Sequence, residues 1–332
     1  GAILLALLLA VVAGYTIERL ASSRDLARLA MPGRMVSVGS HRLHLSCAGQ
    51  GSPVVLLESG WGMPAAIWAR TQPLLAQRTQ TCVYDRAGYG WSDSGPDPRD
   101  AAHIAAEAEA LLEAAQIKGP FILVGHSFGG ICVRLLAKRI PERVAGMVLV
   151  DAVQEDMLRA LPMVRTRMEE RRTQMEIAPY LADVSVFRIA PGFFGMDRRG
   201  EEFAALSDAQ WETIRTFRTM PRQVKAALDE LLLFEKSMEE ARAAGGFGSL
   251  PISILSAGLA RKPRWVPDDY TGAEYLRRWN LLQEKMRSLS NPPASRYLAA
   301  QSGHEIPIQQ PELVARVVEA VIRQAALTPS VR

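Results

Sequence analysis

Residues 2–17 run for sixteen positions without a charge, and Glu18, Arg19, Arg24, Asp25 and Arg28 come next. The run falls just short of the ~20 apolar residues that cross a bilayer as a helix. It has no polar face, which weakens a buried amphipathic helix, and no obvious A-x-A-like cleavage site comes after it. A membrane anchor with its linker over residues 1–30 is the leading reading. A cleaved signal peptide and a buried helix are its alternatives. Arg19, Arg24 and Arg28 favour the cytoplasmic side for the remainder of the chain, by the positive-inside rule.

Beyond Arg34 the period changes. Residues 35–39 and 41–47 alternate as a hairpin turning at Gly39-Ser40. Residues 53–58 form a continuous apolar run, the pattern of a strand buried on both faces. Further strands are predicted at 79–85, 121–126, 144–151, 252–257 and 295–300. Helices are predicted at 64–77, 99–117, 128–140, 274–289 and 311–326. Strand and helix in alternation mean a parallel, doubly wound α/β sheet. The rhythm breaks over residues 152–249, which hold helical stretches at 208–218 and 222–244 and no convincing strand. The economical division is a core of 31–151 and 250–332 interrupted by a helical lid at 152–249.

With 332 residues, 48% of them hydrophobic, the chain is long enough for such a domain and too apolar for disorder. A net charge of +4, with basic residues scattered among acids, does not support nucleic-acid binding. Cys47, Cys82 and Cys132 stand far apart without a C-x-x-C pair, so neither a zinc site nor a disulfide framework is expected.

The chemistry begins at Gly125-His126-Ser127-Phe128-Gly129, a G-x-S-x-G pentapeptide between a buried strand and a helix. Such a turn lifts the Ser127 hydroxyl clear of the sheet beside a helix N-terminus, which favours developing negative charge. A serine needs a base, and only five histidines are present. His41 and His44 precede the main sheet and fall on opposite faces of a strand. His103 sits on an upstream helix, and His126 lies inside the turn, its side chain expected to point away from Ser127. His304 follows the last strand, at the carboxyl edge where ligands gather in such sheets. For the acid, Asp151 ends the strand after the nucleophile helix, and the usual place, residues 256–261, contains no carboxylate. Asp268 or Asp269, and then Glu155 or Asp156, stay as alternatives. Ser59-Gly60-Trp61-Gly62 follows the strand at 53–58, so the main-chain N–H groups of Trp61 and Phe128 are the expected oxyanion donors. A competing signal lies in the same loop: Gly60-x-Gly62-x-x-Ala65, with Asp85 ending the next strand, imitates a dinucleotide fingerprint. The hairpin ahead of it argues against that reading, and Ser127 and His304 would be left unexplained.

From Pro32 to about Gln324 the chain resembles the α/β-hydrolase superfamily, and within it bacterial serine hydrolases of uncharacterised substrate with an N-terminal apolar segment. The matching stretches are PGRMVSVGSHRLHLSCAGQGSPVVLLESG, YDRAGYGWSD, GPFILVGHSFGG, VAGMVLVDA and SGHEIPIQQPELV. The resemblance implies an eight-stranded, mostly parallel sheet with a helical lid after the sixth strand. It also implies Ser127 as nucleophile, His304 as base and a strand-end acid matching Asp151. Ser59 stands where many relatives carry histidine, which leaves a backbone oxyanion hole unharmed. Epoxide hydrolases and haloalkane dehalogenases of this fold use an aspartate nucleophile, so Ser127 argues against both.

A carboxylic-ester hydrolase working without a cofactor or metal is therefore expected, attached to a membrane through its N-terminal segment and acting on a small-molecule ester or lipid. Amidase, thioesterase or acyltransferase chemistry, or a non-catalytic ligand-binding role, are the alternatives. Met157, Met163, Phe187, Met196, Trp211 and Phe217 in the lid suit either a lipophilic pocket or ordinary lid core. Arg165, Arg167, Arg171 and Arg172 suit a solvated face or contact with anionic headgroups.

Overall fold

The structure, a computed structural model, describes all residues except 195–197, 264–265, 267 and 328–332, and the backbone alone at 171, 173, 193 and 194. Met196 lies outside the described residues, and Arg171 is described by its backbone alone.

Eight strands form one sheet: Arg34–Val38 (β1), His41–Ala48 (β2), Val54–Glu58 (β3), Thr81–Tyr84 (β4), Phe121–His126 (β5), Val144–Val150 (β6), Ile252–Ala257 (β7) and Ser295–Ala299 (β8). Their order is β1-β2-β4-β3-β5-β6-β7-β8. The hairpin pairs Val38 with His41 and β2 runs antiparallel to β4, while every later pairing is parallel. Every residue of β3, β4, β5 and β7 is buried, because helices cover both faces as parallel strands require. Leu56, Leu123 and Leu149 pack on one face with the helices Ala101–Ala114 and Gly129–Arg139. Leu57, Val124 and Val150 pack on the other with the helix Pro311–Leu327.

Three sequence expectations need correction. Residues 64–77 are not one helix but a 3₁₀ turn, Ala65–Trp68, and a short helix, Gln72–Ala76. The chain leaves the 3₁₀ turn at Ala69, and Pro73 sits in the first turn of the short helix, where its missing N–H costs nothing. The stretch 222–244 divides at Leu233 into the helices Pro221–Leu232 and Phe234–Ala244, a bend that brings Phe234 onto the Phe128 ring at 5.4 Å. Finally, Cys47 and Cys82 form a disulfide. Their 35-residue separation hides the pairing, but the antiparallel register of β2 and β4 sets the two directly opposite.

Between β6 and β7 lies a helical insertion whose main members are Pro162–Asp183, Asp208–Thr219, Pro221–Leu232 and Phe234–Ala244. Met157, Phe187, Trp211 and Phe217 are all buried, Phe217 against the Trp91 ring of the core at 4.7 Å, whereas Met163 is exposed. The N-terminal helix, Ala2–Arg28, is long and apolar enough to cross a membrane. Its aliphatic side chains from Ile3 to Ile17 face outward, while Gly14 and Glu18 are buried.

Candidate active site

β5 delivers the chain into the turn at Ser127, where φ is +54°. A non-glycine residue adopts that value only when its surroundings compensate the strain. Here the Ser127 N–H donates to the Val150 carbonyl at 3.1 Å, and its own carbonyl accepts from Gly130 and Val153 at 3.0 and 2.9 Å. The turn also depends on missing side chains: a Cβ on Gly125 would stand 2.5 Å from the Gly129 carbonyl oxygen, and one on Gly129 would stand 2.6 Å from that of Ser59.

His304, in the loop after β8, faces this serine. The Ser127 hydroxyl lies 2.9 Å from His304 Nε2, and His304 Nδ1–H donates to Asp151 Oδ2 at 2.7 Å. Asp151 directly follows β6 at φ +42°, is buried, and uses its other oxygen to accept from the Ala257 N–H and the Trp279 indole N–H, each at 2.8 Å. The carboxylate is thus fixed by β7 and by the helix Gly272–Lys285. Burial disfavours the charged imidazole of His304, but the Asp151 hydrogen bond and charge outweigh it and hold its pKa above the ordinary value.

The other acids weighed from sequence lie elsewhere. Asp268 and Asp269 are exposed, and Asp268 meets Lys262 Nζ at 2.7 Å. Glu155 meets Arg134 at 2.7 Å, and Asp156 bonds Lys285 and Arg242. The remaining histidines are also engaged. His41 approaches Glu107 at 3.4 Å, His103 bonds Asp100, and buried His44 sits between Asp85 and the Pro32 carbonyl.

His126 has a function in the geometry that sequence reasoning missed. Its Nε2–H donates to the His304 carbonyl at 2.9 Å and its ring lies 4.8 Å from the His304 ring. Complete burial, and the neighbouring His304, lower its pKa to about 3, so it stays neutral and holds the histidine loop as a fixed donor. Only the fold reveals this contact, which spans 178 residues.

The loop after β3 closes the other side. A Cβ on Gly60 would come 3.0 Å from Ser127 Cβ and 3.5 Å from its Oγ, so glycine keeps the space above the hydroxyl open. Among the described residues, neither the Trp61 nor the Phe128 main-chain N–H has a hydrogen-bond acceptor. Beneath the loop Arg86 is fully buried. It donates to the carbonyls of Ser59 and Gly60 at 2.7 and 3.0 Å and pairs with Glu58 at 2.6 Å and Glu230 at 2.8 Å. Glu230 belongs to the helical insertion, as does Ala227, whose carbonyl accepts the Trp61 indole N–H at 2.7 Å.

The dinucleotide-like signal dissolves in this geometry. The Asp85 carboxylate accepts from the Ala65 N–H at 2.6 Å, His44 Nδ1 at 2.8 Å and the Trp91 N–H at 3.2 Å, and it is buried. No face of it is turned toward a ribose. Among the described residues no three His, Cys, Asp or Glu side chains converge as a metal ion would require.

Known proteins resemble this chain to different depths. A Hormonema carpetanum protein named "Probable transporter efuK" is 26% identical over 305 residues, covering 87% of this chain and 42% of its own length. A Gibberella zeae protein named "AB hydrolase superfamily protein" is 27% identical over 301 residues, covering 82% and 86%. The chain spans less than half the length of several curated relatives it matches. Among solved structures, the epoxide hydrolase CorEH superposes with a TM-score of 0.63 at 15% identity, over 88% of this chain and 98% of its own, a likeness of fold alone. Residues 54–317 match the model of the alpha/beta hydrolase family, and the chain belongs to that family.

Proposed function

We propose that the protein is a serine hydrolase that cleaves a carboxylic ester through an acyl-enzyme on Ser127, with a lipophilic ester as substrate. The observation that carries this reading is the unbroken line Asp151–His304–Ser127, with contacts of 2.7 and 2.9 Å, ending at an oxygen left open by Gly60.

In this mechanism Ser127 Oγ attacks the ester carbonyl as its proton passes to His304 Nε2. Asp151 holds the imidazole with Nδ1–H toward itself and stabilises the imidazolium that forms. The carbonyl oxygen becomes an oxyanion to which the Trp61 and Phe128 N–H groups donate, each such donor contributing about 3 kcal/mol in comparable sites. Collapse expels the alkoxide, which takes the proton from His304 and leaves as the alcohol. Water, deprotonated by His304, then attacks the acyl-enzyme, releasing the carboxylic acid and returning the proton to Ser127. No cofactor takes part. The serine also separates this reading from the epoxide hydrolases of the fold, which rely on an aspartate nucleophile.

Membrane attachment through Ala2–Arg28 belongs to the same reading and supports a lipophilic substrate. A fluorophosphonate probe tests the proposal: covalent label on the Ser127 peptide, lost in Ser127→Ala, is expected. An unlabelled, folded chain would leave the ligand-binding alternative. A series of p-nitrophenyl esters, thioesters and anilides then separates esterase from thioesterase and amidase, and added alcohol reports acyl transfer.

A further inference from the structure

The buried contacts of the N-terminal helix gather on one side of its C-terminal half. A Cβ on Gly14 would stand 2.6 Å from the carbonyl oxygen of Val184 in the helical insertion, so only glycine permits that approach. Ser185 is fully buried, and its hydroxyl lies 3.0 Å from the Gly14 carbonyl oxygen and 3.2 Å from Glu18 Oε2. Arg188 places Nε and Nη2 on the two Glu18 oxygens at 3.1 and 2.9 Å, and Nη1 on Asp25 at 2.7 Å. Farther along, Arg28 meets Glu212 at 3.0 Å. A buried carboxylate is costly unless paired, and the Arg188 fork gives Glu18 a bidentate partner. Gly14, Glu18 and Asp25 recur at helical spacing, so one stripe of the helix is committed to the insertion.

Residues 2–13 extend beyond that contact by about 18 Å. They are aliphatic around the whole circumference: Ile3, Leu4, Leu7, Leu8 and Val11 are each more than half exposed. A protein groove would cover a single stripe, whereas hydrocarbon on every side suits lipid. On the insertion, where the helix docks, Ile189 adjoins Arg188 and is 70% exposed, and Tyr180, one turn before Val184, is 73% exposed. The same insertion supplies Ala227 and Glu230 to the loop above Ser127.

We infer that the face of the insertion around Tyr180 and Ile189 rests on a lipid bilayer, held there by the N-terminal helix through the Glu18–Arg188–Asp25 clamp. The clamp then presents the insertion, and the Ser127 site beneath it, to esters dissolved in that bilayer. The docking stands on geometry alone, and only the substrate source rests on the hydrolase reading.

The test uses the full chain with vesicles of phosphatidylcholine and phosphatidylglycerol carrying nitroxide-labelled acyl chains. Ile189→Cys and Glu113→Cys, the latter exposed in the last turn of the helix Ala101–Ala114, each receive one environment-sensitive dye; Cys132 is buried and Cys47 and Cys82 are bonded. Expected is flotation of both proteins with the vesicles, and quenching several-fold stronger at 189 than at 113. Arg188→Ala in the 189 background is expected to keep flotation and lose most of that quenching. Flotation with equal quenching at the two sites would overturn the docking while membrane attachment survives. A chain that fails to float, or dimerises through residues 2–13 in detergent and leaves the vesicles, would overturn both. Quenching needs no turnover, so it is expected unchanged in Ser127→Ala. Docking as described in a protein that no fluorophosphonate labels would overturn the hydrolase reading alone.

Discussion

Ser127 combines a strained backbone, φ +54°, with an oxygen 2.9 Å from an imidazole, an arrangement that local packing alone does not require. Ser127→Ala is expected to keep the fold and lower ester hydrolysis by several powers of ten. His304→Ala should do the same, and the double variant should be scarcely worse than either, since the pair acts as a unit. A retained rate above about a tenth of wild type would remove Ser127 from the mechanism. Asp151 sets the pH dependence. The base must be neutral to accept a proton, and Asp151 raises the His304 pKa above 6.5. Turnover should therefore rise with pH through a midpoint above that value. Asp151→Asn should lower the rate by up to about 10⁴-fold, because the amide favours the wrong imidazole tautomer, and move the midpoint downward. Asp268→Asn should change neither, since that carboxylate is exposed beside Lys262. The serine is legible in sequence because the pentapeptide lies between an apolar strand and a helix. The histidine is legible because the chain has so few. His126 is not, since its partner is a main-chain carbonyl 178 residues away that carries no sequence signal.

Between elements, Arg86 ties the end of β3, the loop above Ser127 and the helix Pro221–Leu232 into one unit. With Glu58 and Glu230 both buried against a single guanidinium, removing the cation leaves two carboxylates with only the Tyr84 and Tyr89 hydroxyls as donors and no counter-charge. Arg86→Ala should cost about 3–5 kcal/mol by chemical denaturation. Arg86→Lys should fold better yet lower kcat more than it raises KM, because one ammonium cannot hold the Ser59 and Gly60 carbonyls as the fork does. Burial pushes the Glu58 carboxyl above its usual range against the pull of Arg86, so Glu58→Gln should be the milder change. Equal losses for Glu58→Gln and Arg86→Ala would show that the network does not discriminate between its members. Arg86 is readable in sequence only as part of a family-like stretch, since both acids reach it from distant positions. Pro73 at the start of the helix Gln72–Ala76 marks a first turn, a position that the chemistry of proline favours and that was within reach of the sequence. The Cys47–Cys82 bond needs the register of β2 on β4, which no spacing rule supplies. Intact mass should show both thiols oxidised, and Cys47→Ser should lower stability by about 3–4 kcal/mol if loop closure governs the effect.

At the scale of the whole molecule, the sheet and its flanking helices are legible because their apolar runs have the right lengths and periods. The path of the N-terminal helix is not, because its docking depends on one glycine and two acids meeting Ser185 and Arg188 of the insertion. Those contacts decide what deletion of residues 1–30 should do. The helix touches neither Ser127, His304 nor Asp151, so the rate on a soluble ester should stay near that of the full chain. Loss of sixteen uncharged residues removes the longest apolar surface, so the protein should move from the membrane fraction to the soluble one. Arg188 loses both carboxylate partners, but it is partly exposed and water can replace them, so its region should lose only modest stability. Fractionation, denaturant midpoint and turnover on a short-chain ester check the three parts separately. A truncated protein that stayed in the membrane fraction would assign attachment to the insertion's own exposed face at Tyr180 and Ile189. A truncated protein that was soluble and folded but inactive would instead make the helix part of the catalytic scaffold, transmitting through Arg188 an ordering of the insertion that the Ser127 site requires.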